Sequence, residues 1–478
     1  MLDITINDLA QATAAQIIAA GSGRVSGKTV IDSREVEPGA LFVAFKGERS
    51  DGNRYARAAI DAGASAVVLS DAPEEGLAAY AEDRGAALLR AADDDCESFL
   101  IDLSAWERDR HPEWLVVGVT GSVGKTTTKD MLAAALSPSF RTHATKGNYN
   151  NLIGMPLTLL NAPEGTEALV LEMGMDGLGQ ISRMSRAARP ALAVITNVGV
   201  SHLVYLGTRE GIACAKAEII EGMEAWGSVG PALVLTSAND YTDYIVRKFA
   251  IPANVMPLTV GTRPSDDVRQ TDLVIHHDAR THAELAFIDG GTVSLDLPIP
   301  GTSAVLDAML ALSVARLAGV DAAAAAEALS SMELTAMRLD VRTSPSGVRV
   351  IDDTYNASPA SMASSLSVLA SMGCAGRRYA ILGEMLELGE DEVQMHACVG
   401  AFAAALDLDM IVCVGGPLAR AIAEGARTVG FSEDALLVFD SVSDALTALV
   451  PVLCEGDVVL AKASRASGLD AFVKGVLA

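Results

Sequence analysis

One lysine, its threonines and two glycines carry the clearest chemistry in this chain. Gly121-Ser-Val-Gly-Lys-Thr-Thr follows the apolar run Leu115–Val119 and precedes the helix-periodic run Met131–Leu136. A glycine turn between a buried strand and a helix aims backbone N–H groups and the positive helix end at an anion. Lys125 adds a point charge, and the Thr126 hydroxyl is a ligand for Mg²⁺. Gly121, Ser122, Gly124, Lys125, Thr126 and Thr127 are the candidate nucleotide-binding residues. The longer phosphate-loop spacing has glycine at 119, where this chain has Val119. A purely structural glycine turn is the competing reading.

Further residues suited to chemistry stand at the ends of other strand-like runs. Glu172 ends Ala168–Leu171, where a carboxylate supplies the hard oxygen that Mg²⁺ takes; a solvated strand-end glutamate is the alternative. His202 follows Ile195–Ser201, at an edge where ligand contact competes with a structural role. Asn148, Asn150 and Asn151 lie in Lys146–Pro156, which reads either as a polar-substrate loop or as a turn. Lys216 sits among small apolar residues. Spacing alone puts it on the surface of an amphipathic helix; if buried, its pKa falls and it reacts as an amine. Asp352-Asp353-Thr-Tyr-Asn356, Gly383–Gly389 and Lys462-Ala-Ser464-Arg465 cap three more strands. Two acidic ends and one basic end suit a zwitterionic or cationic substrate, although each alone could be helix capping.

Three α/β units must position these groups. Residues 1–110 form the first, closing in a charged stretch before Pro112. Residues 111–330 form a doubly wound, mostly parallel sheet of the phosphate-loop type, with strands at Leu115–Val119, Ala168–Glu172, Ala191–Asn197 and Ala232–Thr236. Alternating patterns within Pro252–Pro300 read as antiparallel hairpins appended to that core. Residues 331–478 form a Rossmann-like α/β unit with strands at Val348–Asp353, Arg378–Gly383, Met410–Gly415 and Asp457–Ala461.

Composition narrows the function. The 478 residues include 36 basic and 61 acidic ones, a formal net charge of −25. Such a surface repels nucleic acid and anionic lipid. Cys96, Cys214, Cys374, Cys398, Cys413 and Cys454 lack metal or redox spacing and read as buried free thiols in a reducing compartment. The N-terminus has no signal-peptide pattern, and no apolar run reaches the ~20 residues that span a bilayer. A cytoplasmic protein, monomeric by default, is expected.

Taken together, Thr120–Asp130, Asn148–Pro156, Asp352–Pro359 and Gly383–Glu390 resemble the signatures of the Mur ligase family of ATP-dependent peptide-bond-forming enzymes. The resemblance is nearest to the branch that joins D-alanyl-D-alanine to UDP-N-acetylmuramoyl-tripeptide, and it covers nearly the whole chain. It implies domains for the UDP substrate, for ATP and for the dipeptide. It implies an acyl phosphate formed from ATP with two Mg²⁺ ions, then attack by the dipeptide amine. Lys125 and Thr126 would hold phosphate and metal, and Glu172 and His202 match metal-site residues. Lys216 matches a lysine that many members carbamylate, which overrides the surface reading. Ser33, Arg34 and Lys46 fall in loops resembling the UDP site. Arg338 and Asp353 match nucleotide contacts from the third domain, and Asn356, Lys462, Ser464 and Arg465 would line the dipeptide side. Two segments depart from the family pattern. Its nucleotide-contacting Gly-x-His-Asn-x-x-Asn-Ala is here Gly301-Thr-Ser303-Ala304-Val-Leu-Asp307-Ala, and Asn53 stands where His is common. Two other readings stay open: a family ligase with another acceptor, and a non-catalytic nucleotide-binding homologue.

Overall fold

A computed structural model describes residues 2–47, 50–276, 278–332 and 335–478. Glu48 and Arg49 of the polar loop after Lys46, and residues 333 and 334 beside the 330/331 boundary, lie outside the described residues. Among the described residues the strands form sheets of two, five, nine and six strands.

The nine-stranded sheet is built around Leu115–Thr120, every residue of which is buried. Leu115, Val117 and Val119 point to one face, where they pack with Met131 and Leu132 of helix Lys125–Leu136 and with helix Thr302–Leu317. Val116 points to the other face, among Met155, Met184, Ile212 and Ile219. Both faces are covered by helices, so the strand is apolar throughout rather than alternating. Leu115–Thr120 pairs in parallel with Ala168–Glu172 on one side and Leu192–Ile195 on the other. The chain builds one side first and then crosses to the other. That makes the C-terminal end of Leu115–Thr120 the switch point, where open α/β sheets bind ligands.

The segment 252–300 differs from its expected form. Met256–Gly261 pairs in parallel with Ala232–Thr236 and with Val268–Ile275. Only Val268–Ile275, Thr281–Phe287 and Thr292–Leu297 are antiparallel to one another. The segment continues the central sheet instead of hanging from it, because Val260 and Val268 join the same core as Val117.

The first unit has a five-stranded sheet, Gln16–Ala19 being its antiparallel member, beside the ribbon Leu2–Thr5 with Arg24–Gly27. Helix Cys96–Arg110 ties it to the centre. Phe99, Leu100 and Leu103 pack into the first unit's core together with Leu157 and Leu160, whereas Ile101 packs into the central one. In the third unit Asp340–Thr343 runs antiparallel to Arg349–Asp353, and the remaining strands of its six-stranded sheet are parallel. Buried thiols were expected throughout, yet only Cys96 and Cys413 are buried; Cys398 and Cys454 are exposed. Among the described residues no helix is long and apolar enough to cross a membrane.

Candidate functional site

The phosphate loop is held in shape by the neighbouring strand. Thr196 and Asn197 fall just beyond Leu192–Ile195. The Asn197 side chain takes the Val123 N–H at 3.0 Å and gives its own N–H to the Val123 carbonyl at 3.0 Å. The Thr196 hydroxyl donates to the same carbonyl at 2.5 Å. Gly121 has φ +152°, and a Cβ there would meet Thr196 Oγ1 at 1.8 Å, so no side chain fits. Gly124, at φ +86°, opens helix Lys125–Leu136. Backbone donors and helix dipole therefore converge at a fixed place.

A cavity of about 550 Å³ begins at this loop. It gathers Ser122, Gly124, Lys125, Thr126, Thr127, Asn148, Asn151, Glu172, His202, Arg338, Asp353, Asn356 and Lys462. Lys125 Nζ donates to the Gly121 carbonyl at 2.8 Å, folded back over the loop. Burial holds its pKa below the ordinary lysine value; Glu172 opposes that shift and Arg338 adds to it. Glu172 is buried, with Oε1 accepting from Asn150 Nδ2 at 2.8 Å. Among the described residues its Oε2 is buried with no hydrogen-bond partner; His202 Nδ1 also makes no hydrogen bond there but has Asp176 Oδ1 at 3.6 Å and Glu387 Oε2 at 3.9 Å. His202 has φ +64°. Burial, then Lys125 and Lys216, depress its pKa, so the ring is held neutral.

Lys216 is 2 % exposed. The surface position suggested by spacing is wrong, because Lys216 lies on the covered face of its helix with Ile212, Ala213, Ala215 and Ala217, whereas Glu210 is exposed on the other face. None of the described residues gives its ammonium a hydrogen bond or ion pair. Burial, then the charge of Lys125, pushes its pKa well below the lysine value.

The third unit closes the cavity. Arg338 donates to Thr126 Oγ1 at 3.0 Å and lies 4.1 Å over the Tyr355 ring. Lys462 is buried in an ion pair with Asp353, which also accepts from Ser365 at 2.6 Å. Burial lowers the Lys462 pKa and the Asp353 carboxylate opposes the shift.

Other expected site residues stand elsewhere. Arg34 is exposed and paired with Asp32, and Lys46 is paired with Asp71 at 2.9 Å; with Ser33 they sit on the first unit, off the cavity. Ser464 and Arg465 also lie outside its lining: the Ser464 hydroxyl accepts from the Leu386 N–H at 3.0 Å, and Arg465 reaches Met337 Sδ. Asn151 lines the cavity, but its side chain takes the Gly154 N–H at 2.8 Å at the start of a helix, leaving it less free for substrate. Asn197, which shapes the loop, escaped the sequence reading, and two residues named there do other work: Asn150 orients Glu172, and Asp307 accepts from Thr128 at 3.0 Å. Asn150 and Asn197 look like turn residues in a sequence; only pairing across distant strands reveals their work.

The residues fit a hard cation. Glu172 Oε2, a buried carboxylate oxygen with no hydrogen-bond partner among the described residues, and the His202 ring line the same cavity as the phosphate loop. Among the described residues no three His, Cys, Asp or Glu side chains form a cage. That suits Mg²⁺, which is commonly held by one or two carboxylates together with substrate phosphates.

Known proteins resemble the chain over its full length. Family models match in three parts: "Mur ligase family, catalytic domain" at residues 29–115, "Mur ligase middle domain" at 119–315 and "Mur ligase, glutamate ligase domain" at 337–465. The UDP-N-acetylmuramoyl-tripeptide–D-alanyl-D-alanine ligase of Bacillus subtilis (strain 168) is 37% identical over 93% of this chain and 92% of its own. The enzyme of that name from Mycobacterium tuberculosis (strain ATCC 25618 / H37Rv) is 32% identical over 100% and 98%. Among solved structures, MurF from Acinetobacter baumannii superposes with a TM-score of 0.87 at 28% identity, covering 100% of this chain and 99% of its own. The MurF ligase from Thermotoga maritima in complex with ADP does so at 0.78 and 30% identity, covering 94% and 96%.

Proposed function

This chain belongs to the Mur ligase family, and from that premise we propose that it joins D-alanyl-D-alanine to UDP-N-acetylmuramoyl-tripeptide at the expense of ATP, a step of peptidoglycan precursor synthesis. Residues 1–110 take the UDP end through Ser33, Arg34 and Lys46, residues 111–330 take ATP, and residues 331–478 take the dipeptide beside Asn356 and Lys462. The reaction runs in the cytoplasm on a monomer.

The observation that carries this reading is the buried Glu172 carboxylate oxygen, which has no hydrogen-bond partner among the described residues and shares a cavity with His202 and a phosphate loop that already holds its lysine. Glu172, His202, the Thr126 hydroxyl and a carbamate on Lys216 would hold two Mg²⁺ ions, whose charge neutralises the phosphates when bound. Burial lowers the Lys216 pKa, which favours the free amine that adds to CO₂ with loss of one proton. Lys125 leaves the Gly121 carbonyl to meet the transferred phosphoryl, and Arg338 approaches it from the third unit. The tripeptide carboxylate oxygen attacks the γ-phosphorus and ADP departs. The dipeptide amine then attacks the acyl carbon, and phosphate leaves with formation of the amide. Closure of the third unit excludes water that would hydrolyse the acyl phosphate.

Phosphate release with ATP, Mg²⁺, UDP-N-acetylmuramoyl-tripeptide and D-alanyl-D-alanine tests the proposal. Turnover that needs all four supports it. A folded, ATP-binding protein without turnover contradicts it, and turnover only with other acceptors points to a sister ligase. Lys125→Ala retaining full activity contradicts the site.

A further inference from the structure

The cavity has two unlike walls. Glu172, Asp176 and His202 line one, which suits cations and phosphoryl charge. The other carries the small side chains Ser303, Ala304, Ala360, Ser361 and Ser364, on helices Thr302–Leu317 and Pro359–Ser371, together with Ile299. This wall adjoins the phosphate loop through Asp307, whose Oδ1 stands 3.0 Å from where a Gly124 Cβ would be. A nucleoside whose phosphates sit on the loop has this wall to lie against.

Ala360 is exposed on this wall and offers an apolar contact to the face of a purine, whereas Ile299 and Ala304 are almost fully buried. Besides Asp307 the polar atoms of the wall are hydroxyls: Ser303 Oγ and Ser364 Oγ lie 2.8 Å apart, and either can be the donor. A side-chain amide presents a fixed donor and a fixed acceptor, whereas a hydroxyl rotates and serves as either. Rejection of an analogue comes from leaving a polar group unpaired. A pair of hydroxyls bonded to each other can reverse its direction, accepting from the position 6 amine and donating to a bare N1 of one base, or donating to the position 6 oxygen and accepting from the N1–H of the other. The small side chains around it also leave room for an amine at position 2.

Taking the cavity as the ATP site proposed above, we propose that this chain also uses 6-oxopurine triphosphates, GTP and ITP, as phosphoryl donors. The step is balanced alike for each donor. The carboxylate oxygen bonds to the γ-phosphorus, the bond to the β–γ bridging oxygen breaks, and the nucleoside diphosphate leaves with the electron pair. Selectivity for ATP stays within the net worth of one hydrogen bond, roughly tenfold.

Two measurements on the full chain test this. The first is binding of ATP, GTP and ITP by displacement of a fluorescent ATP analogue; the second is kcat/KM for phosphate release with each. Values within about tenfold of ATP are expected in both. Ser303→Val should weaken all three by a similar factor, because one hydroxyl serves each base. A preference for ATP of about a hundredfold or more in binding overturns the inference, as does a Ser303→Val loss confined to ATP. The binding arm reads base selectivity even if no ligase turnover occurs, so failure of the ligase reading and failure of this one give different results.

Discussion

Lys216 and Lys46 are both lysines expected at a binding site, and the structure treats them in opposite ways. Lys46 is on the surface of the first unit with Asp71 at 2.9 Å. Lys216 is buried in the central unit with no partner among the described residues, and its pKa is driven down by burial and by Lys125. A charge paired in water is inexpensive and contributes little; a buried amine without a partner persists only where some gain offsets its cost. The contrast separates an amine buried inside the central unit from a charge held on the surface of the first.

The strongest way to break that contrast is to replace the buried amine with an uncharged polar group. Lys216→Gln should lower kcat by about 10²–10³ with ATP binding little changed, read by steady-state kinetics alongside ATP titration. Near-normal turnover would make Lys216 a packing residue.

Next comes a buried lysine that does have a partner. Lys462→Ala strands the Asp353 carboxylate inside the protein and should lower stability by roughly 3–5 kcal/mol, measured by urea denaturation. Arg34→Ala and Lys46→Ala remove exposed pairs and should each change stability by less than about 1 kcal/mol. If these residues hold the UDP end, the same variants raise KM for the UDP substrate and leave KM for ATP alone. A large stability loss at Lys46 would erase the distinction between the two regions.

The smallest effect concerns pH. Burial raises the Asp307 pKa to about 7, opposed by the hydrogen bond from Thr128. Its folded pKa lies above its unfolded one, so the native state holds a proton the unfolded chain has lost. That contribution is greatest at low pH and fades as pH rises towards 7. Above 7 the carboxylate also faces the triphosphate. ATP affinity should therefore decline as pH rises through about 7, and Asp307→Asn should flatten the profile, checked by ATP titration between pH 6 and pH 8.

How far this was legible in the sequence follows the range of each interaction. The phosphate loop is local: strand, glycines, lysine and helix lie within twenty residues, and the structure joins them as spacing implies. The strands at Ala168–Glu172 and Ala232–Thr236 are equally plain, because burial on both faces leaves continuous apolar runs. Non-local features were hidden. Lys216 looked exposed because helical spacing describes one helix and not what covers it. Met256–Gly261 looked like part of a hairpin because parallel pairing to a distant strand leaves no turn signal. Asn150, Asn197 and Asp307 act across the fold, on Glu172, the loop and Thr128.

The central claim is that this cavity moves the γ-phosphoryl of ATP onto a carboxylate. Supplying UDP-N-acetylmuramoyl-tripeptide with ¹⁸O in its terminal carboxylate, and reading the released phosphate by mass spectrometry, tests it most directly. Transfer of one ¹⁸O per phosphate is the predicted result, because the carboxylate oxygen that attacks phosphorus leaves with it. Unlabelled phosphate formed in step with the amide product would contradict the account.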